Sequence, residues 1–400
     1  MEEMEEMEIE QEFNEMLKRL RKVFANELGY QNARKYIKGL LGSAERKNGW
    51  QLSEKIGEKS PYKIQQFLYR GEYKADDLRD EVRSYVKETL GEEEGVLVVD
   101  DTGFIKQGLK SCGVQRQYTG TAGKICNCQI GVFLTYASIK GHTAIDRRLY
   151  MPEKWMDDKE RRAEAGVPEE LRFAAKPELA LEMIAEATKA GMPYKWVTGD
   201  CAYGDYEKIR KWLEENRKCY VLNIMNISKK ENIYQEHIGT LLSNLPSGGW
   251  FSASCGDGSK GARIYDWLIL ETSGKAAILN EVQSGFKRVI LVRRSKSEPK
   301  EVKAYIAFAP NDTSAQKLVE VAGTRWTVET CFKESKGQVG LDHYEVRSYD
   351  GWYKHITFAL IAMAFLTVIS ARSLDAKTFQ QHNPASSSLD VFKKGRNLRV

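Results

Sequence analysis

Val96-Leu97-Val98-Val99 runs without a polar residue into Asp100-Asp101-Thr102-Gly103. A continuously apolar, β-branched run has no side suited to water, so it predicts a short strand buried on both faces. The Asp-Asp-Thr-Gly that follows predicts a loop. Residues 195 to 198 predict a further short strand, which runs into Gly199-Asp200-Cys201-Ala202-Tyr203-Gly204. Residues 125 to 137 predict another strand, and 176 to 191 and 205 to 217 predict helices. Strands alternating with helices from 95 to 217 predict an α/β layer with strands under helices.

On either side the pattern differs. Residues 1 to about 90 read as helical, with one proline (Pro61) and an apolar stripe at Leu78, Val82, Val86 and Leu90 that ends at Gly91. Lys35, Lys38, Arg46 and Lys47 with Trp50 and Tyr62 suit a DNA-facing surface, and equally a solvated helical bundle. From 219 to 309 the chain turns β-rich, with strands expected at 219 to 223, 264 to 270, 287 to 292 and 304 to 308. The Gly- and Ser-rich 244 to 261 is expected to be loop or hairpin tip. Helices are expected at 313 to 322, 324 to 336 and 352 to 372. The apolar run 356 to 371 falls short of the roughly 20 residues of a membrane span. It also carries Thr357, Thr367 and Ser370, so it predicts a helix deep in the core.

Charge and cysteine usage exclude several classes. Lys plus Arg is 61 against 56 Asp plus Glu, a net charge of +5. That excludes a polycationic tail and leaves local basic patches, which suit nucleic acid. Seven cysteines, with no Cys-x-x-Cys pair, argue against a disulfide scaffold or zinc ribbon and for a reducing compartment. The start Met-Glu-Glu-Met-Glu-Glu is the opposite of a signal peptide. Gly120-Thr-Ala-Gly-Lys124 lacks phosphate-loop spacing. His142, His237, His343, His355 and His382 have no metal-ligand spacing, and no Gly-x-Ser-x-Gly elbow is present.

Three acids stand where chemistry needs them: Asp100 and Asp200 after buried strands, and Glu329 in a helix. Each alone has an ordinary reading, as a turn former or a surface charge. Together, carboxylates from adjacent strand ends and a packed helix would repel one another unless divalent cations neutralise them, and Mg²⁺ takes oxygen ligands. Arg325, Glu329 and Lys336 share a helical face at i, i+4 and i+11. Such a face can be a salt-bridge ladder. Trp326, Val328 and Phe332 on the same helix predict that it is packed, with its charges facing a cleft. Asp100 and Asp101 cannot both point one way from an extended backbone.

Between 35 and 372 the sequence resembles insertion-sequence transposases of the Asp-Asp-Glu type. The residues that carry the resemblance are Val-Val-Asp-Asp-Thr-Gly-Phe (98 to 104), Arg116-Gln117-Tyr118 with the run from 120 to 129, Gly-Asp-Cys-Ala-Tyr-Gly (199 to 204), and the run 325 to 347 from Arg-Trp-Thr-Val-Glu onward. The branch resembled carries a Tyr-x2-Arg-x3-Glu-x6-Lys signature. Arg325, Glu329 and Lys336 match it, while Ala322 stands at the tyrosine position.

The resemblance implies an α/β fold: a ribonuclease H-like core interrupted by a β-rich insertion and preceded by an α-helical domain. The implied divisions are a helical DNA-binding domain (1–93), the core's first part (94–218), the insertion (219–310), the core's second part with the catalytic helix (311–373), and a polar basic tail (374–400). It implies cutting at element ends and joining of the 3′-hydroxyl to target DNA. Asp100, Asp200 and Glu329 would hold two Mg²⁺ ions, with Mn²⁺ able to substitute. The family's Asp-x-Thr/Ser pattern favours Asp100 over Asp101. Arg325, Lys336, Lys124 and Arg116 would contact DNA, and Trp250 would stack on an unpaired base. Lys106, Lys110, Arg147 and Arg148 also suit a backbone-tracking surface. The expected partners are double-stranded DNA, as terminal repeats and target, and a second protomer in a paired-end complex. The expected setting is cytoplasmic, at the nucleoid, with no membrane. Two other readings stay open: a nuclease on the same fold that does not join strands, and a domesticated DNA-binding protein.

Overall fold

The computed structural model describes residues 2–224, 242–258, 261–271, 282–298 and 301–381. Five helices come first: α1 (Glu2–Leu20), α2 (Glu27–Leu41), α3 (Gly49–Lys55), α4 (Tyr62–Arg70) and α5 (Ala75–Leu90). Asn26 and Asn48 accept the free backbone N–H groups of Gly29 and Gln51 and so start α2 and α3. Strands β1 (Val96–Ile105), β2 (Gln115–Thr119), β3 (Lys124–Ser138) and β4 (Gly141–Tyr150) follow. Next come α6 (Glu153–Asp157), α7 (Lys159–Glu164), α8 (Lys176–Lys189), β5 (Trp196–Gly199), α9 (Cys201–Gly204), α10 (Glu207–Glu215) and β6 (Cys219–Ile224). The chain ends with β7 (Phe251–Gly258), β8 (Gly261–Glu271), β9 (Phe286–Arg294), β10 (Val302–Pro310), α11 (Ala315–Thr324), α12 (Trp326–Val339) and α13 (Tyr349–Gln381).

The ten strands of the described residues join one mixed sheet in the order β2-β3-β1-β5-β6-β10-β9-β8-β7, with β4 on β3. β1 pairs antiparallel with β3 and parallel with β5, and β5 pairs parallel with β6. The run β4-β3-β1-β5-β6 is consistent with a ribonuclease H-like core. The stretch expected as an insertion is continuous with that core, because β10 pairs antiparallel with β6 and carries β9, β8 and β7 outward.

Two expectations change. Phe251–Gly258, expected to be loop, is strand β7. Its Ser and Gly residues have weak strand preference, so pairing with β8 and contact with α11 hold it there. β1 does not stop at Val99: it continues to Ile105 along β3, and only its parallel pairing with β5 ends at Val99 opposite Gly199.

α13 is the hub of the helical layer. By length and composition it could cross a membrane, yet 72% of its most apolar window is buried inside the protein. It packs on β4, α5, α2, α4 and α12. Fully buried Lys354 and His355 lie within it, Lys354 donating to the Gly71 carbonyl at 2.6 Å. His355 bridges Tyr36 and the Gly340 carbonyl at 2.7 and 3.1 Å. Burial holds this imidazole down at about 3, so it is a neutral connector of α2, α12 and α13. Lys47 is buried as well and donates to the Gly42 carbonyl, which withdraws it from the expected DNA-facing set.

Asp146 on β4 ties α5 and β4 together. Its side chain is fully buried and ion-pairs with Arg83, Arg148 (2.9 Å), Arg147 (3.5 Å) and Arg79 (3.6 Å). Burial would raise the carboxyl, but the four guanidiniums outweigh it and hold it below the usual range. Arg147 is itself fully buried, and Arg148 is mostly so. Neither belongs to a backbone-tracking surface, contrary to the sequence expectation. Asp146→Asn leaves four buried guanidiniums short of an anion and should cost about 3–5 kcal/mol in urea denaturation; a change below about 1 kcal/mol would show that the cluster is not structural.

Candidate active site

The end of the β1–β5 pairing places the first two acids. Val99 pairs with Gly199, and Asp100 and Asp200 follow at the same level on neighbouring strands. Gly199 is required by closeness: a Cβ there would lie 2.7 Å from Val99 Cγ2. Asp200 then caps α9, accepting the Ala202 N–H at 2.9 Å. Gly204 lets α9 lie on β6, since a Cβ would stand 1.8 Å from the Asn223 carbonyl oxygen. Each glycine and the aspartate of Gly-Asp-Cys-Ala-Tyr-Gly therefore has a steric or capping reason.

Asp100 and Asp101 go to different partners, as alternation along a strand requires. Asp100 accepts from Arg325 Nη1 at 3.2 Å. Asp101 accepts from Lys176 at 3.0 Å and from the Tyr203 hydroxyl at 3.3 Å. Lys176, at the start of α8, and Tyr203 were not singled out from the sequence. Tyr203 lies inside the Gly-Asp-Cys-Ala-Tyr-Gly turn, but nothing local marks Lys176 as the partner of an acid 75 residues away.

Arg325 sits at the break between α11 and α12. Its guanidinium forks between Asp100 and Glu329, with Nη2 to Glu329 Oε1 at 2.7 Å. It thus stands between two of the three acids, and among the described residues no three carboxylate, His or Cys side chains form a ready metal cage. Burial, then the negative charge of Asp200, raises the Asp100 carboxyl to about 7 against the pull of Arg325. Asp200 is raised as well, by burial and then by Asp101. The donor set is oxygen-only and short of positive charge, which fits a hard divalent cation.

Lys336, two turns further along α12, does not project freely. It donates to Thr102 Oγ1 at 2.9 Å, the Gly103 carbonyl at 3.3 Å and Thr121 Oγ1 at 3.4 Å. It binds α12 to β1 and to the turn after β2. Trp326, expected to be packed, is 40% exposed under the Arg263 guanidinium, while Val328 and Cys331 are fully buried. Ala322, at the signature's tyrosine position, is buried in α11.

The remaining candidates make no hydrogen bond or ion pair with the acids. Arg116 and Lys124 are exposed on the β2–β3 hairpin. Trp250 precedes β7, where its indole N–H donates to the Pro246 carbonyl at 3.0 Å and Arg294 covers the ring at 4.0 Å. A base stacking there would compete with that guanidinium. Lys106 lies over the Tyr344 ring at 3.5 Å and Lys110 pairs with Glu164 at 2.6 Å, so both are engaged within the protein.

Residues 22–237 match the DDE superfamily endonuclease family. The chain belongs to that family. Residues 175–365 match the transposase DDE domain, spanning Asp200, Arg325, Glu329 and Lys336. A protein of Microchaete diplosiphon, named as a probable transposase for insertion sequence element IS701, is 23% identical over 313 residues. These cover 78% of this chain and 75% of that protein. The chain is therefore an enzyme, a transposase of the DDE type, whose family acts on DNA with divalent metal.

In this transposase Lys336→Ala removes the bond from α12 to β1 with no DNA present. A loss of about 1–3 kcal/mol in urea denaturation is expected. An unchanged midpoint would mean that the contact holds nothing.

Proposed function

We propose that this transposase cuts DNA at the ends of its element and joins the freed 3′-hydroxyl to target DNA, with Asp100, Asp200 and Glu329 as the metal ligands. The carrying observation is the ending of the β1–β5 pairing, which sets Asp100 beside Asp200, with Glu329 tied to Asp100 through Arg325. Two Mg²⁺ ions, or Mn²⁺ in their place, would be held by these acids and would supply the charge that activates water or a 3′-hydroxyl and stabilises the leaving oxygen.

The protein's own task is positioning. Asp100 and Asp200 come from a paired sheet and Glu329 from the first turn of α12, so their spacing is set by the backbone. Arg325 neutralises the acids in the metal-free protein. Once they have other cations, its planar fork is free to take a phosphate. Lys336 keeps α12 on β1, and its ammonium adds positive charge beside the site. The helical residues 1–93 supply end recognition, and strands within 219–310 widen the DNA-facing surface. A paired-end complex calls for two protomers, acting at the nucleoid.

A plasmid carrying the gene with its flanking DNA tests this. Glu329→Gln and Asp100→Asn should each lower excision and integration at least about a hundredfold in a folded protein. Asp101→Asn should keep more than about a tenth of the activity. Loss in the Asp101 variant alone would transfer the ligand role to Asp101, and equal activity in Glu329→Gln would remove Glu329 from the chemistry. Cut ends that are never joined would favour a nuclease without strand transfer.

Metal binding carries a pH signature. Asp100 titrates at about 7, above an exposed aspartate, so a proton competes with the metal below that pH. Mn²⁺ affinity read by electron paramagnetic resonance should be flat above about 7 and fall about tenfold per unit below it. Affinity that holds constant down to the ordinary aspartate range would sink Asp100 as a ligand.

A further inference from the structure

From Thr102 to Ile145 the chain contains no aspartate or glutamate, although acids make up 56 of its 400 residues. Five basic residues lie in this stretch. Lys106, Lys110 and Lys140 are engaged, by the Tyr344 carbonyl, Glu164 and Glu92 at 3.2, 2.6 and 2.7 Å. Arg116 and Lys124 are exposed and make no ion pair among the described residues. Both belong to the β2–β3 hairpin.

The same hairpin exposes two large apolar side chains. Tyr118 is 63% exposed and Ile125 is 60% exposed. They are directly opposed in the β2–β3 register, so they form one paired patch. Arg116 is two residues from Tyr118, on the same face, and Lys124 is next to Ile125 at the tip.

The hairpin tip is fastened onto the catalytic strand. Gly103 leaves space for Thr119, whose Oγ1 would lie 2.0 Å from any Cβ there. Thr121 Oγ1 lies 3.3 Å from Thr102 Oγ1 and donates to the Gly103 carbonyl at 3.2 Å. Lys336 reaches the same hydroxyl from the catalytic helix. Thr102 is two residues beyond Asp100, roughly 7 Å along the strand. Any DNA whose phosphodiester reaches the acids therefore lies beside this hairpin. An acid-free, basic and aromatic tip suits a polyanion with stackable bases.

We propose that the β2–β3 hairpin is a DNA-contacting wedge: Arg116 and Lys124 hold phosphates, and Tyr118 with Ile125 packs against the bases of the duplex beside the bond to be cut. The inference rests on the DNA-cleaving site described above. An apolar pair pressed on a base step unstacks it and helps to expose the bond.

The test uses the full-length protein and duplexes tiled across the DNA flanking the gene, with 2-aminopurine placed through each as a stacking reporter. Arg116→Ala/Lys124→Ala should weaken binding about tenfold at 0.1 M salt and lower the salt slope by about two. Tyr118→Ala/Ile125→Ser should bind within about threefold of the parent but lose the fluorescence rise that reports unstacking. Ile139→Ser, at an exposed site in the β3–β4 turn, is the control and should match the parent in both. Far-ultraviolet circular dichroism checks that each variant is folded. Parental slope and parental fluorescence in the hairpin variants would overturn the wedge and leave the active-site reading standing. Failure of the parent to bind any duplex would overturn both. A fall from dimer to monomer in Tyr118→Ala/Ile125→Ser without DNA would overturn the wedge in favour of contact with a second copy of the chain.

Discussion

Two half-buried carboxylates, Asp100 and Asp200, stand on neighbouring strands, and their mutual repulsion organises everything near them. Burial and like charge both disfavour ionisation, which is why Asp100 titrates at about 7. The protein keeps the arrangement because backbone pairing over-determines it: the strands cannot move apart without breaking the β1–β5 ladder. Arg325 offsets part of the repulsion by donating to Asp100 and Glu329 together. A guanidinium that bridges two carboxylates is a resident cation, and it marks where positive charge is needed.

The frame around that pair is closely connected. One sheet runs through the ten strands of the described residues, so the distal strands β7–β9 connect through β10 and β6 to the strands that carry the acids. β7 also presses on α11 so closely that a Cβ on Gly323 would stand 2.0 Å from the Cys255 carbonyl. Arg263 spans the same junction, donating to the Cys255 and Gly323 carbonyls at 2.8 and 3.2 Å. Any displacement of that part of the sheet would thus be felt at Arg325 and the start of α12. On the other side, the Asp146 cluster and α13 lock the N-terminal helices to the sheet. Catalysis by positioned charge depends on such rigidity, because a shift of about 1 Å can cost two orders of magnitude in rate.

Much of this was legible in the chain. The run 96 to 99 and the Gly-Asp-x-x-Tyr-Gly turn pointed to Asp100 and Asp200, because apolar runs and strand-end acids are local patterns. The helix boundaries of α5 and the strands β6, β8, β9 and β10 were legible for the same reason. Strand β7 was not, because Ser and Gly have no strand preference of their own and its partner supplies the order. Arg147 and Arg148 read as surface charges in the sequence, since nothing local says that Asp146 will be buried among them. The spacing of Lys336 puts it on the face of Arg325 and Glu329, but its tie to Thr102 depends on a residue 234 positions away.

The sequence by itself determined which acids stand at strand ends and which charged residues share one face of α12, because side-chain type and hydrophobic period are written locally. Only the tertiary structure decided how those residues are shared. It sent Asp100 to Arg325 and Asp101 to Lys176, and it turned Lys336 inward. It folded the Tyr118–Ile125 hairpin back over Gly103 beside the acids. These are long-range outcomes of strand register and close packing, and both are set only when distant segments meet.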